Sequence, residues 1–244
     1  MSDEDDLAGE LRTFGRRRGR TLSVRQSELV AHELPRRAVD LAQPAPSALT
    51  ALFTPAVGDV WLEIGFGGGE HLLWQARENP AVGLIGCEPF LDGVIKVVDA
   101  LAAEQRTNVR IHADDARPLL RWLPPASLGR AFILYPDPWP KRRHQKRRLV
   151  ATPLLDLLAR VLRPGAELRI ATDIPDYVRT ILLAALPHPA FVWCATRPQD
   201  WQQRPADWPT TRYEQKALRE GRRPHYLVFQ RTDHPAAEIL RRSP

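Results

Sequence analysis

The chain has 244 residues, 43% hydrophobic and 26% charged, with a formal net charge of +6 and an isoelectric point near 9.8. That length suits one α/β domain with an appended tail, and its core needs neither disulfide nor structural metal. The positive balance favours a polyanionic partner. Residues 1–10 lack the apolar run of a secretory signal, no stretch reaches membrane-spanning length, and Cys87 and Cys194 suit a reducing compartment, so a cytoplasmic protein is expected.

Residues 1–46 pass from acidic to strongly basic and end in a proline-rich stretch, Gln43-Pro44-Ala45-Pro46. This predicts a partly mobile N-terminal arm, with 47–244 as the domain. Positions 12–20 set five arginines around Phe14, which suits either a solvated tail or phosphate contacts. A βα pattern then begins. Strands are expected at 60–66, 83–87, 109–112, 131–135 and 166–171. Helices are expected at 69–78, up to about 104, at 116–122, 152–162 and 175–186, with Pro164-Gly165 stopping the fourth. Two last strands, 191–194 and 226–230, have no long helical pattern between them. Alternation of this kind implies a mostly parallel, doubly wound sheet covered on both faces, with ligands bound beyond the strand carboxyl ends.

The first strand runs into Glu63-Ile64-Gly65-Phe66-Gly67-Gly68-Gly69-Glu70. Glycines here let a ligand approach the backbone, but the dinucleotide pattern fails because position 70 is Glu, and no P-loop pattern is present. Glu63 and Glu70 would repel a pyrophosphate. A ligand carrying sulfonium and ammonium groups would instead be attracted, and S-adenosylmethionine is such a ligand. Glu88 ends the second strand near the spacing at which an acid holds ribose hydroxyls. Asp115 follows the third strand, where it could meet an adenine amino group or simply cap the next helix.

The fourth strand ends in Pro136-Asp137-Pro138-Trp139-Pro140, followed by six Lys or Arg side chains in positions 141–148. Two prolines stiffen the loop and hold the Asp137 carboxylate at the expected ligand edge. Trp139 could stack a base or plug the core edge, and the basic run, including Arg147 and Arg148, suits nucleic-acid phosphates. No zinc-spaced cysteines, HExxH or GxSxG pattern occurs, and the seven histidines show no metal-ligand spacing.

The segment PDPWPKRRHQKRR at 136–148 resembles the signature of bacterial-type tRNA (guanine-N7-)-methyltransferases. The likeness extends through EIGFGGG at 63–69, CEP at 87–89, DA at 115–116, ATD at 171–173 and TRYE at 211–214, and more weakly to FGRRRGR at 14–20. It implies a Rossmann-like class I methyltransferase fold with a seven-stranded sheet. It also implies S-adenosylmethionine as donor without a metal, held by Glu63, Gly65, Glu88, Asp115 and Asp137, with Asp137 as the catalytic carboxylate. tRNA would be contacted by Lys141, Asp173, Thr211, Arg212, Tyr213 and Glu214, the target being guanine 46 of the variable loop. A monomer or homodimer without an obligate protein partner is expected. Thr211 and Glu214 also have capping-box spacing, so that motif has a helix-capping reading beside the substrate one. Competing readings are a methyltransferase acting on an exocyclic base nitrogen and a non-catalytic RNA-binding module. The intact Glu63, Glu88 and Asp137 set disfavours the latter.

Overall fold

The computed structural model describes Gly19 and residues 21–235. The basic cluster at 12–20 therefore lies outside the described residues, apart from Gly19. The first elements are α1 (Val24–Glu28), a π-helical turn (Leu29–Glu33) and α2 (Leu34–Arg37). Ser23 and Gln26 start α1 with a reciprocal capping box. Leu29 and Leu34 pack on the domain core, Arg25 reaches Asp99 at 2.7 Å, and Ala38 bridges Ile111. Part of the segment expected as an arm is thus folded onto the domain. A short 3₁₀ turn (Leu49–Leu52) leads into the sheet.

The sheet is built from β1 (Asp59–Ile64), β2 (Val82–Cys87), β3 (Val109–His112), β4 (Leu128–Leu134), β5 (Leu162–Thr172), β6 (Phe191–Trp193) and β7 (His225–Arg231). Its order is β3-β2-β1-β4-β5-β7-β6; the first five strands are parallel, and β7 is antiparallel to both neighbours. Helices α3 (Glu70–Glu78) and α4 (Leu91–Ala103) bury Leu72, Leu73, Val94, Val97 and Leu101 on one face. On the other face lie α5 (Ala116–Trp122), α6 (Thr152–Val161) and α7 (Pro175–Ala185), supplying Leu119, Leu155, Leu158 and Ile181. Apolar side chains recurring every three or four residues give each helix one face to bury. This is the doubly wound seven-stranded sheet expected.

Two details differ from the sequence pattern. Pro164-Gly165 does not separate α6 from β5. The strand starts at Leu162 and absorbs the pair in an irregularity, with Leu128 opposite Leu162 but Arg130 opposite Glu167. Proline and glycine are tolerated there because the ladder is interrupted at that point. Between β6 and β7 stand α8 (Gln199–Gln202) and an eight-residue α9 (Arg212–Arg219). Only Glu214 and Ala217 of α9 are buried, and the helix is too short and too polar to show as an apolar stripe in the sequence.

The strand order reverses between β1 and β4, the place where open parallel sheets bind ligands. Register aligns Ile64 with Cys87 and Ile133, and Leu134 with Ala171. The residues just beyond these pairs, Gly65, Glu88, Tyr135 and Thr172, therefore share one edge.

Candidate active site

Gly65, Gly67 and Gly69 all have left-handed backbone, with φ of 76°, 55° and 79°, so the turn from β1 into α3 requires glycine. The loop is also crowded. A Cβ on Gly68 would lie 2.9 Å from the Arg212 guanidinium, and one on Gly93 would lie 2.1 Å from the Gly67 carbonyl oxygen. The start of α9 therefore crosses the glycine loop from one side and the first turn of α4 supports it from the other.

Two buried carboxylates flank this loop. Glu63 is 3% exposed, and its Oε2 lies 2.7 Å from His71 Nδ1, on the first turn of α3. Glu88 accepts hydrogen bonds from the Gly67 N–H at 2.8 Å and the Phe90 N–H at 2.9 Å, one on each oxygen. Burial pushes the Glu88 carboxyl above its ordinary value; those two N–H groups oppose the shift, and the charges of Asp137 and Glu63 add to it. A carboxylate oxygen has two lone-pair sites, so each still has capacity for a hydroxyl donor. Asp115 caps α5 by accepting from the Arg117 N–H, and Arg117 also chelates its carboxylate. Helix capping is thus real at this position, and a ligand amino group would share the carboxylate with Arg117.

The loop after β4 is held in an uncommon conformation. Tyr135 and Trp139, neither a glycine, have φ of 51° and 43°, bracketing Pro136, Asp137 and Pro138. Left-handed backbone at such residues costs about 1–3 kcal/mol each and persists only where surroundings enforce it. Arg148 enforces it here. Its side chain is 2% exposed; Nε donates to the Pro138 carbonyl at 2.9 Å, and the other nitrogens bind the Asp176 carbonyl and carboxylate and the Thr180 hydroxyl on α7. The guanidinium lies 5.0 Å from the Tyr177 ring centre. Asp137 itself is exposed, with no hydrogen bond or ion pair to its carboxylate among the described residues.

This corrects the expectation that Arg148 contacts phosphate: it is buried inside the protein. Arg147 is turned inward as well, 5.1 Å from the Trp139 ring, while His144 meets the ring edge. Trp139 therefore already carries a cation on the surface expected to stack a base. Lys141, Arg142, Arg143 and Lys146 are the exposed members of the run, and 142–147 form a 3₁₀ helix.

Asp173, beyond β5, is paired with Arg222. Thr211 caps α9, its hydroxyl accepting from the Glu214 N–H at 3.2 Å. The Glu214 side chain is buried, accepting from the Tyr226 hydroxyl at 2.8 Å and lying 3.1 Å from Arg204. The helix-capping reading of this motif holds, and the start of the helix lies across the glycine loop. Arg212 faces Glu70 at 3.4 Å, and Tyr213 stacks near Tyr135 with ring centres 6.4 Å apart. Glu63, Gly65, Glu70, Tyr135, Thr211 and Tyr213 line one narrow cleft.

Sequence reasoning missed His71, Arg148 as a buried clamp, and Tyr135. For His71 the sequence offers no signal, because a lone histidine carries no pattern. Nucleophilic and phenolic chemistry is disfavoured. Burial holds the Cys87 thiol well above its ordinary range and raises the hydroxyls of Tyr135 and Tyr226.

Residues 58–227 match a family described as "Putative methyltransferase". The chain is 51% identical over 245 residues to the tRNA (guanine-N(7)-)-methyltransferase of Ruegeria sp. (strain TM1040), covering 95% of each. It is 52% identical to that of Mesorhizobium japonicum, covering 89% of this chain and 94% of the relative. Among solved structures, TrmN from Thermus thermophilus superposes with a TM-score of 0.51 at 18% identity, over 75% of this chain and 47% of that one. The 16S rRNA methyltransferase KamB gives 0.50 at 16% identity, over 75% and 91%. Those two likenesses concern the fold. With the family model spanning most of the sheet and relatives at half identity over nearly the whole length, the chain belongs to the tRNA (guanine-N7)-methyltransferase family.

Proposed function

We propose that this protein transfers the methyl group of S-adenosylmethionine to N7 of a guanine in tRNA, with guanine 46 of the variable loop as target. The observation that carries the site reading is Asp137, an exposed carboxylate on a clamped, strained loop electrostatically coupled to the buried Glu88. The residues fit the donor. Positive-φ glycines leave room for close backbone approach, and two buried acids suit a ligand with hydroxyls and positive charge. Glu88 would bind the ribose hydroxyls, Glu63 the cationic end, and Asp115 the adenine side, with Gly65 as the floor. Bound there, the donor supplies a methyl group activated by its sulfonium.

Guanine N7 carries a free lone pair, so no proton has to leave before it attacks. The protein's task is alignment, an effect worth up to about 7–11 kcal/mol in well-oriented systems. Asp137 orients the base and favours the positive charge that develops on its imidazole ring. Lys141, Asp173, Thr211, Arg212, Tyr213 and Glu214 hold the tRNA around that base. Glu214 and Asp173 already have protein partners, Glu214 in Tyr226 and Arg204 and Asp173 in Arg222, so each acts together with those side chains. Residues 1–46 serve as the arm to the 47–244 domain, anchored by its helical part. The protein works in the cytoplasm; among the described residues no helix is long and apolar enough to cross a membrane.

Incubation with unmodified tRNA and labelled donor, followed by nucleotide mapping, tests this reading. Methylation at N7 of the variable-loop guanine is expected, and Asp137→Ala should lose most of the rate while retaining tRNA affinity. Methyl on an exocyclic nitrogen, or full activity in the variant, would overturn it.

A further inference from the structure

We propose that His71 is a positioning residue for donor binding, which holds the Glu63 carboxyl in a fixed orientation and ties it to the segment leading into Thr211 and Glu214. The inference rests on the methyl-donor reading of the cleft. It comes from counting protons along a buried chain. The Gln75 side-chain nitrogen donates to the Asp207 carbonyl at 3.0 Å and lies 3.2 Å from His71 Nε2. The Gln75 side-chain oxygen accepts from Asn79 Nδ2 at 2.9 Å. These two outer partners, an acceptor and a donor, fix which end of the amide is nitrogen. An amide nitrogen only donates, so His71 Nε2 must accept.

An accepting Nε2 makes the ring neutral, with its proton on Nδ1, donated to Glu63 Oε2 at 2.7 Å. His71 therefore gives Glu63 a hydrogen bond but no compensating charge. Among the described residues His71 is the one group at ion-pair distance from Glu63. Phe132 packs against the imidazole with ring centres 4.6 Å apart, and Trp208 with 6.1 Å, shutting water out. A carboxylate buried this way is costly until a cation meets it. The ammonium of the donor is such a cation, and the sulfonium adds a second. The chain ends at Asp207, four residues before Thr211, so the tRNA-facing segment and the donor-facing carboxylate share one hydrogen-bonded support.

Calorimetric titration with S-adenosylmethionine and with S-adenosylhomocysteine, which keeps the ammonium but lacks the sulfonium, tests this. His71→Leu should weaken both about tenfold or more, in line with loss of a charge-assisted hydrogen bond. His71→Asn, whose amide nitrogen can still donate to Glu63, should stay within about threefold of wild type. A merely structural role would lower the melting temperature of both variants without splitting their affinities. Nitrogen-15 spectra of the wild-type protein should show His71 protonated at Nδ1 and bare at Nε2, a readout that survives even if the Leu variant fails to fold. Unchanged donor affinity in a folded Leu variant, or a protonated Nε2, would overturn the inference while leaving the methyl-donor reading intact. A wild-type protein that binds neither compound would overturn both.

Discussion

Replacing Arg148 by Leu separates two roles that a basic run leaves mixed. In the folded chain its guanidinium anchors the Pro138 carbonyl and the Asp176 backbone, while the Asp176 carboxylate is 53% exposed. Stranding two enclosed backbone carbonyls costs about 1–3 kcal/mol each, and the half-exposed ion pair adds only about 0–1 kcal/mol. Thr180 keeps a bond to the Asp176 carbonyl, offsetting part of the loss there. A net weakening of roughly 2–4 kcal/mol is expected, concentrated on the loop that carries Asp137. If about half of it reaches the aligned state, turnover falls about 5-fold to 30-fold, at 1.36 kcal/mol per decade. The assay is steady-state methyl transfer with tRNA varied over a range of salt, normalised to folded protein by circular dichroism. We expect kcat to drop while the slope of log affinity against log salt stays at the wild-type value. A flattened slope with unchanged kcat would refute the reasoning, because it would mean that Arg148 reaches phosphate.

The exposed basics should behave in the opposite way. Neutralising Arg143 and Lys146 together should leave kcat at saturating tRNA nearly unchanged and reduce the salt slope by up to about 0.7–0.9 for each phosphate lost; an identical slope removes their proposed role. Gly93→Ala drives a methyl group into the Gly67 carbonyl, a backbone atom that cannot swing aside. Donor affinity should fall about tenfold or more alongside about 1–3 kcal/mol of stability, and a native dissociation constant would show that α4 and the glycine loop separate easily. Donor affinity should also weaken on acidification. Glu88 accepts ribose hydroxyls best as the carboxylate, and burial raises its proton affinity, so binding is retained above the raised value and lost as pH falls through it, beginning above the ordinary 4.5. Folding has the opposite sign for this group, since a raised carboxyl binds its proton more tightly when folded, so stability need not fall in the same window. Affinity flat down to about 4.5 would contradict the burial argument.

Much of this protein is written locally. Alternating strand and helix patterns, each set by side-chain periods that any window reveals, determine the doubly wound sheet and put Gly65, Glu88, Asp115 and Asp137 at strand ends. The glycine run states a backbone requirement in residue type alone, and the three positive φ angles meet it. The placement of β7 between β5 and β6 depends on pairing partners far apart in sequence, which no local pattern encodes. The same holds for charge. Arg143 and Arg148 look alike in a basic run, yet one is exposed and the other buried against α7, because the turn of the 3₁₀ helix decides which side chain meets Asp176. His71 is the clearest case: its residue type permits many roles, and only the amide of Gln75, held between Asn79 and Asp207, assigns its proton and turns it toward Glu63.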